Sequence, residues 1–259
     1  MVSNDAQPIL EARQIQKAYG NVQALDGANF VAYPAQVTAL VGDNGAGKST
    51  LTKIISGVER PDRGELLFDG KPFHATTPAV AQELGIETVY QDLALAPDLD
   101  GAANIFLGRE KFRPGLLGML GVLDNRAMRQ GAIESFGDLG VAIRDPSASV
   151  GYLSGGQRQG VAVARAATWA SKLIIMDEPT AALGVVQTKN VLDTIRRVRD
   201  RGIAVVLISH NMPEVLDVAD RMEVLRLGRR VASFTREDAT LENLVGAMTG
   251  ALVQEDQAA

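Results

Sequence analysis

The sequence predicts an α/β domain with a mostly parallel sheet and an inserted helical subdomain. Three apolar segments carry that prediction: "VTALVG" (37–42), "KLIIMD" (172–177) and "IAVVLISH" (203–210). Segments this apolar read as strands buried on both faces, the signature of parallel strands. Stretches with helical spacing alternate with them, as an α/β core requires. Residues 92–150 break the pattern, because they hold no buried-strand run.

From Ile9 to Phe73 the segments are short and β-rich: "ILEARQIQKAY", "ALDGANFVAY", "QVTALVG" and "GELLFDG", punctuated by Gly20, Asn21, Pro34, Asp69 and Gly70. "STLTKIISG" reads as a helix stopped at Gly57. Thr77 followed by Pro78 signals a helix start, and "GIETVYQD" a strand ending at Gln91. "RPGLLGMLG" (113–121) is glycine-broken and apolar, a loop or insertion. "NRAMRQGAIESFGDLG" has helical spacing at Met128, Ile133, Phe136 and Leu139. The expected division is a core at 8–91 and 158–250 with a helical subdomain at 92–157. Beyond "LSGGQ" (153–157) a helix runs to Trp169, an amphipathic helix covers 186–201, a short helix starts at Pro213, and "RMEVLRLG" is a strand. A last helix at 240–249 carries Leu241, Leu244, Val245 and Met248 on one face.

Composition excludes several chemistries. The chain of 259 residues has no cysteine, so disulfides, thiolate metal sites and cysteine nucleophiles are out. Only His74 and His210 supply imidazole, which excludes a multi-histidine metal site, and His74 sits in a polar stretch without a role. Lys and Arg total 26 against 31 Asp and Glu, a balance that leans against nucleic acid as a partner. "MVSNDAQPILEAR" lacks the basic and apolar regions of a signal peptide, and no apolar run of ~18 residues exists to span a bilayer. The expectation is a cytoplasmic chain whose link to any membrane is peripheral.

The chemistry-bearing motifs lie at the ends of the expected strands. Gly42, Gly47, Lys48 and Ser49 in "GDNGAGKST" fit the phosphate-loop pattern G-x-x-x-x-G-K-[ST]. Its glycines let the backbone through Asn44, Gly45 and Ala46 curl until N–H groups face phosphate oxygens, with Thr50 following in the helix. Lys48 adds a cation for the β- and γ-phosphates of a nucleotide, and Ser49 a hydroxyl for Mg²⁺. The helix N-terminus adds its dipole. Asp177 and Glu178 end the strand "LIIMD", at the edge where open parallel sheets bind ligands. Neighbouring residues on a strand point to opposite faces, so the two acids take different jobs. Asp177 suits Mg²⁺, and Glu178 a general base acting on water. The competing reading is a solvated acid pair in a turn. Gln91 is either a solvated loop residue or a ligand for metal or water near the γ-phosphate. His210 is either a satisfied structural histidine or, by its place at the same sheet edge as Asp177, a γ-phosphate partner. Tyr19 either stacks on an adenine face or packs.

"AYG", "GDNGAGKST", "YQD", "LSGGQRQ", "LIIMDEPT" and "ISHN", in that order, resemble the ATP-binding subunits of ABC transporters from about Ile9 to Met248. The resemblance implies a P-loop ATPase core, an N-terminal antiparallel β subdomain and the inserted helical subdomain. It explains the second glycine turn: two such domains pair head to tail, and each ATP lies between the phosphate loop of one and the "LSGGQ" of the other. Ser154, Gly155, Gly156 and Gln157 then reach a nucleotide on a second copy, with Ser154 and the glycine amides at a helix start as an anion site. The same resemblance makes Tyr19 the adenine-stacking residue, Gln91 the γ-phosphate sensor and His210 the switch histidine. It gives the helical subdomain a groove for a transmembrane permease, with a periplasmic solute-binding protein as an indirect partner and the inner face of the bacterial membrane as the location.

"DEPTAALG", "ISHNM", "VADRMEVLRLGRR" and "LGREKFR…GLLG" are similar to the ATPases of bacterial monosaccharide importers of the ribose, xylose and fructose type. With one set of motifs, the chain is expected to homodimerise or to pair with another chain. One residue departs from the wider family, which carries aspartate where Gly184 stands. That loop serves communication between paired sites, so weaker coupling is expected here. Rival readings are an ABC-type translation or DNA-repair factor without a permease, a regulatory subunit with little turnover, and a transporter for another solute.

Overall fold

The computed structural model describes residues 7–74, 77–143, 145 and 147–252. The terminal tails "MVSNDA" and "VQEDQAA" lie outside the described residues.

The chain begins as strands β1 (Leu10–Tyr19) and β2 (Val22–Ala32), followed by β3 (Val37–Val41), helix α1 (Lys48–Ile55), β4 (Arg63–Phe68), β5 (Lys71–Pro72), α2 (Pro78–Glu83) and β6 (Ile86–Val89). Thr77 caps α2 by accepting from the Val80 amide, as the Thr-Pro pair predicts. Helices α3 (Gly101–Phe106), α4 (Leu116–Met119), α5 (Asn125–Leu139) and α6 (Gly155–Trp169) follow. The chain then runs through β7 (Leu173–Asp177), α7 (Val185–Asp200), β8 (Ala204–Ile208), α8 (Met212–Val218), β9 (Arg221–Arg226), β10 (Arg229–Thr235) and α9 (Leu241–Thr249).

Contacts group the chain into two compact units: residues 1–88, 170–178 and 198–259, and residues 89–169 and 179–197. The first holds both sheets. One is antiparallel, in the order β2-β1-β4-β5; the other has six strands, in the order β10-β9-β3-β8-β7-β6. In the larger sheet β3 runs parallel to both β8 and β9, and β7 parallel to β8. All five residues of β3 and of β8 are buried, because helices and the second sheet leave neither face to water. Leu40, Leu51, Ile54, Ile55, Phe30 and Ile175 share its core.

β10 has no counterpart in the sequence reading. It pairs antiparallel with β9 through a two-residue turn at Leu227 and Gly228, both with positive φ (49° and 76°). That is the backbone of a tight hairpin, but leucine is not a residue that advertises it. The hairpin buries Glu223 completely; its carboxylate accepts from Ser233 Oγ (2.8 Å) and lies 3.3 Å from Arg230.

In the second unit α3 packs on α5 and α6. Trp169 donates its indole N–H to the Ile105 carbonyl (2.8 Å) and meets Phe106 edge-on. Two details depart from the expected pattern. Met128, Phe136 and Leu139 are buried, but Ile133 is half exposed (51%) and Ala132 takes the core position. Spacing decides it: 128, 132, 136 and 139 form one stripe, from which 133 is rotated by a full residue step. The glycine-rich stretch 113–121 is not wholly loop, since it contains α4. In the first unit the stripe of α9 is rotated likewise: Leu244 and Ala247 are buried, while Leu241 and Val245 are exposed.

Candidate active site

Register builds this site. Leu40 of β3 pairs with Ile208 of β8, which pairs with Asp177 of β7. The three strands are parallel, so their carboxyl ends emerge side by side, about 4.8 Å apart per strand. Gly42 lies two residues past Leu40, His210 two past Ile208, and Glu178 one past Asp177. The phosphate loop, the acid pair and the histidine are therefore neighbours on one edge, inside one compact unit.

The loop from 42 to 47 is tightly drawn. Gly42 and Gly47 have φ of +154° and +105°, and a Cβ on Gly47 would lie 2.7 Å from the Ala24 carbonyl oxygen. Only glycine fits where the loop presses against the antiparallel sheet. Lys48 Nζ folds back to donate to the carbonyls of Gly42 (2.6 Å) and Asp43 (3.0 Å). Helix α1 starts at Lys48, has no side-chain cap, and makes its first bond from Leu51 N–H to Gly47 O. The amides of Lys48, Ser49 and Thr50 thus have no partner inside the helix, and an anion at the dipole's positive end would satisfy them. Asn44, Gly45 and Ser49 are exposed and Ala46 is buried.

Burial pushes the Asp177 carboxyl up, and Glu178 beside it pushes the same way; Lys48 opposes both. Burial likewise lowers the Lys48 ammonium, against the pull of Glu178, Asp43 and Asp177. Glu178 sits at φ 48°, in the left-handed region that costs a non-glycine residue about 1 kcal/mol or more. Its amide donates to Ile208 O (2.9 Å), and its Oε1 lies 2.9 Å from His210 Nδ1. A carboxylate only accepts, so the imidazole N–H is the donor. Tyr19, at the end of β1, hydrogen-bonds Glu59 through its hydroxyl and has Thr50 within reach. The residue is 43% exposed.

"LSGGQ" lies in the second unit, where it forms a reciprocal cap. Gln157 N–H donates to Ser154 Oγ (3.3 Å), and Ser154 N–H donates to Gln157 Oε1 (3.0 Å). The cap uses one acceptor site of the Ser154 hydroxyl and leaves its proton and the Gly155 and Gly156 amides for an anion. Tyr152 is 90% exposed and Val185 88%. Sequence reading did not single these two out, although an aromatic immediately before the motif was a visible signal. Gln91, expected as the last residue of its strand, lies instead exposed in a turn, because β6 ends two residues earlier at Val89. At Gly184 an added Cβ would meet only the tip of the Gln187 side chain, Oε1 at 2.7 Å.

A family profile described as "ABC transporter" matches residues 25–181. The chain belongs to the ABC transporter family. As an ABC ATPase it binds and hydrolyses ATP. It is 52% identical to the fructose import ATP-binding protein of Rhizobium meliloti, over 95% of both chains. It is 45% identical to the xylose/arabinose import ATP-binding protein of Sulfolobus acidocaldarius, over 93% of this chain and 94% of that one. Its fold matches a solved ATP-binding cassette of an ABC transporter with a TM-score of 0.80 at 26% identity, over 94% of this chain and 98% of the other. Among the described residues no helix of the cassette is long and apolar enough to cross a membrane.

Proposed function

We propose that the chain is the ATP-hydrolysing subunit of a membrane importer for a monosaccharide, acting as a pair of identical chains. The observation that carries the catalytic part is the sheet edge where one register row delivers the phosphate loop, the acid pair and His210. The sugar rests on the relatives, which are named for fructose and for xylose/arabinose import. They do not favour a translation or DNA-repair factor.

Backbone amides from Asn44 to Thr50 and the Lys48 ammonium bind the β- and γ-phosphates, while Tyr19 offers its ring to the adenine. Glu178 takes the proton of the attacking water. His210, bonded to Glu178, holds that carboxylate in place and faces the γ-phosphate. Mg²⁺ fits the residues present. Asp177 is a half-buried carboxylate whose charge burial and Glu178 disfavour, so a cation supplies what it lacks. Ser49 and Asp177, with Gln91 as a further oxygen donor, would hold the ion together with the nucleotide's phosphates, and the ion would supply charge stabilisation for phosphoryl transfer. Ser154, Gly155, Gly156 and Gln157 serve the nucleotide of the second copy, and exposed Tyr152 and Val185 suit a surface that this copy covers. The helical subdomain at 92–157 receives the permease on the inner face of the membrane, with a solute-binding protein on the far side.

The test is the mass of purified Glu178→Gln protein by light scattering, with and without ATP, across protein concentrations. A dimer that forms only with ATP is the expected result. A monomer under every condition would overturn the paired-chain reading.

A further inference from the structure

Residues 111–124 leave the body of the second unit and return to it. Asp124 N–H donates to Lys111 O (2.7 Å), Arg113 N–H to Val122 O (2.9 Å), and Phe112 bridges Leu123. Between these rungs sits α4. The neck is tight enough that a Cβ on Gly118 would fall 1.9 Å from Arg113 O, so the excursion has a set shape. Its tip is apolar and exposed: Leu116 is 72% exposed, Leu117 47%, Met119 85% and Leu120 72%. A packed domain turns such side chains inward, and a contiguous cluster facing out marks a surface that something covers.

The tip braces itself: Gly118 and Met119 donate to Gly115 O, Leu120 to Leu116 O, Gly121 to Gly118 O and Val122 to Leu117 O. Charge says what covers it. Lys111, Arg113 and Arg126 are exposed around the neck. The nearby acids are turned to the backbone: Glu110 accepts from Gly108 N–H, and Asp124 from Ala127 N–H at the start of α5. A chain of net charge −5 thus presents an apolar tip with three exposed cations at its neck, the Lys111 ammonium resting over the Phe106 ring (4.9 Å). That arrangement complements an anionic lipid surface, whose phosphates lie above its acyl boundary.

We propose that residues 111–124 form a lipid-contacting hairpin. Leu116, Leu117, Met119 and Leu120 enter the interfacial layer of an anionic membrane, and Lys111, Arg113 and Arg126 meet the headgroup phosphates. This contact is additional to any docking on a permease, and it needs no nucleotide.

The test uses the full chain and vesicles of lipid alone, so it is independent of the importer reading. Wild type should float with phosphatidylcholine–phosphatidylglycerol vesicles, more weakly with phosphatidylcholine, and less as salt rises. Leu116→Ser/Leu120→Ser should weaken flotation about tenfold or more, and Lys111→Gln about fivefold, with ATP turnover unchanged in both. The chain has no cysteine, so a polarity-sensitive dye on Met119→Cys reports the tip alone. Its emission should shift to the blue on anionic vesicles. Absent flotation, equal flotation of wild type and the leucine variant, no spectral shift, or binding only when permease protein is present would each overturn the proposal.

Discussion

At the residue scale the site is a balance of costs. Glu178 is held in the left-handed region, and Asp177 is a carboxyl that the fold pushes towards its protonated form. Positions that lower stability persist where the chemistry needs them. The sign for Asp177 follows from its raised folded value. Between the ordinary carboxyl range and that value the folded chain binds more protons than the unfolded one, so this group's contribution is present at low pH and is lost as pH rises through the folded value. Asp177→Asn should therefore raise the thermal midpoint of nucleotide-free protein at neutral pH. That advantage should shrink as pH falls through the folded value and be gone below about 4, while turnover drops about a hundredfold or more. Scanning calorimetry at several pH values checks the first part, and phosphate release the second. A midpoint unchanged at neutral pH would contradict the assignment. Lys48→Ala should abolish ATP binding by titration calorimetry, because the loop loses its cation and the amine that draws together the Gly42 and Asp43 carbonyls. The identities of these residues were legible from their motif spacing. The φ of Glu178 was not, because backbone strain is imposed by the two strands and the turn around it rather than by its neighbours in sequence.

At the element scale, α6 starts with a reciprocal cap that the sequence displays as Ser154-x-x-Gln157. Ser154→Ala should cost about 1 kcal/mol in urea unfolding, as for a lost N-cap. The same change should also remove ATP-dependent pairing when placed in the Glu178→Gln background. A cap that served only the helix would show the first effect without the second. Elements with strong periodicity or a capping pair, such as β3, α2 and α6, were legible. β10 was not, because its turn places Leu227 in a conformation that leucine seldom signals. The buried faces of α5 and α9 were each misjudged at one or two positions, since a stripe containing alanine is under-read by hydrophobicity alone. Ala132 and Ala247 are such positions.

At the scale of the whole molecule, the departure at Gly184 is expected, in the proposed pair of chains, to bear on how two copies communicate. A side chain there would displace only the flexible end of Gln187, so Gly184→Asp should fold normally. The variant is expected to raise the cooperativity of ATP hydrolysis, read from its Hill coefficient, and an unchanged coefficient would argue against weakened coupling in the wild type. The order of motifs, the strand and helix types and the phosphate-loop chemistry were determined by sequence alone, because local spacing specifies them. The strand ends of Asp177 and His210 were expected at one sheet edge, but which strands stand side by side there was decided only by tertiary structure: the parallel pairing of β3, β8 and β7 brings Gly42, Asp177 and His210 together from far apart in the chain. The burial of Glu223, and the water left around Leu116 and Met119, were likewise decided by packing. Sequence records which side chains are apolar or charged, but long-range contacts determine which of them lose their water.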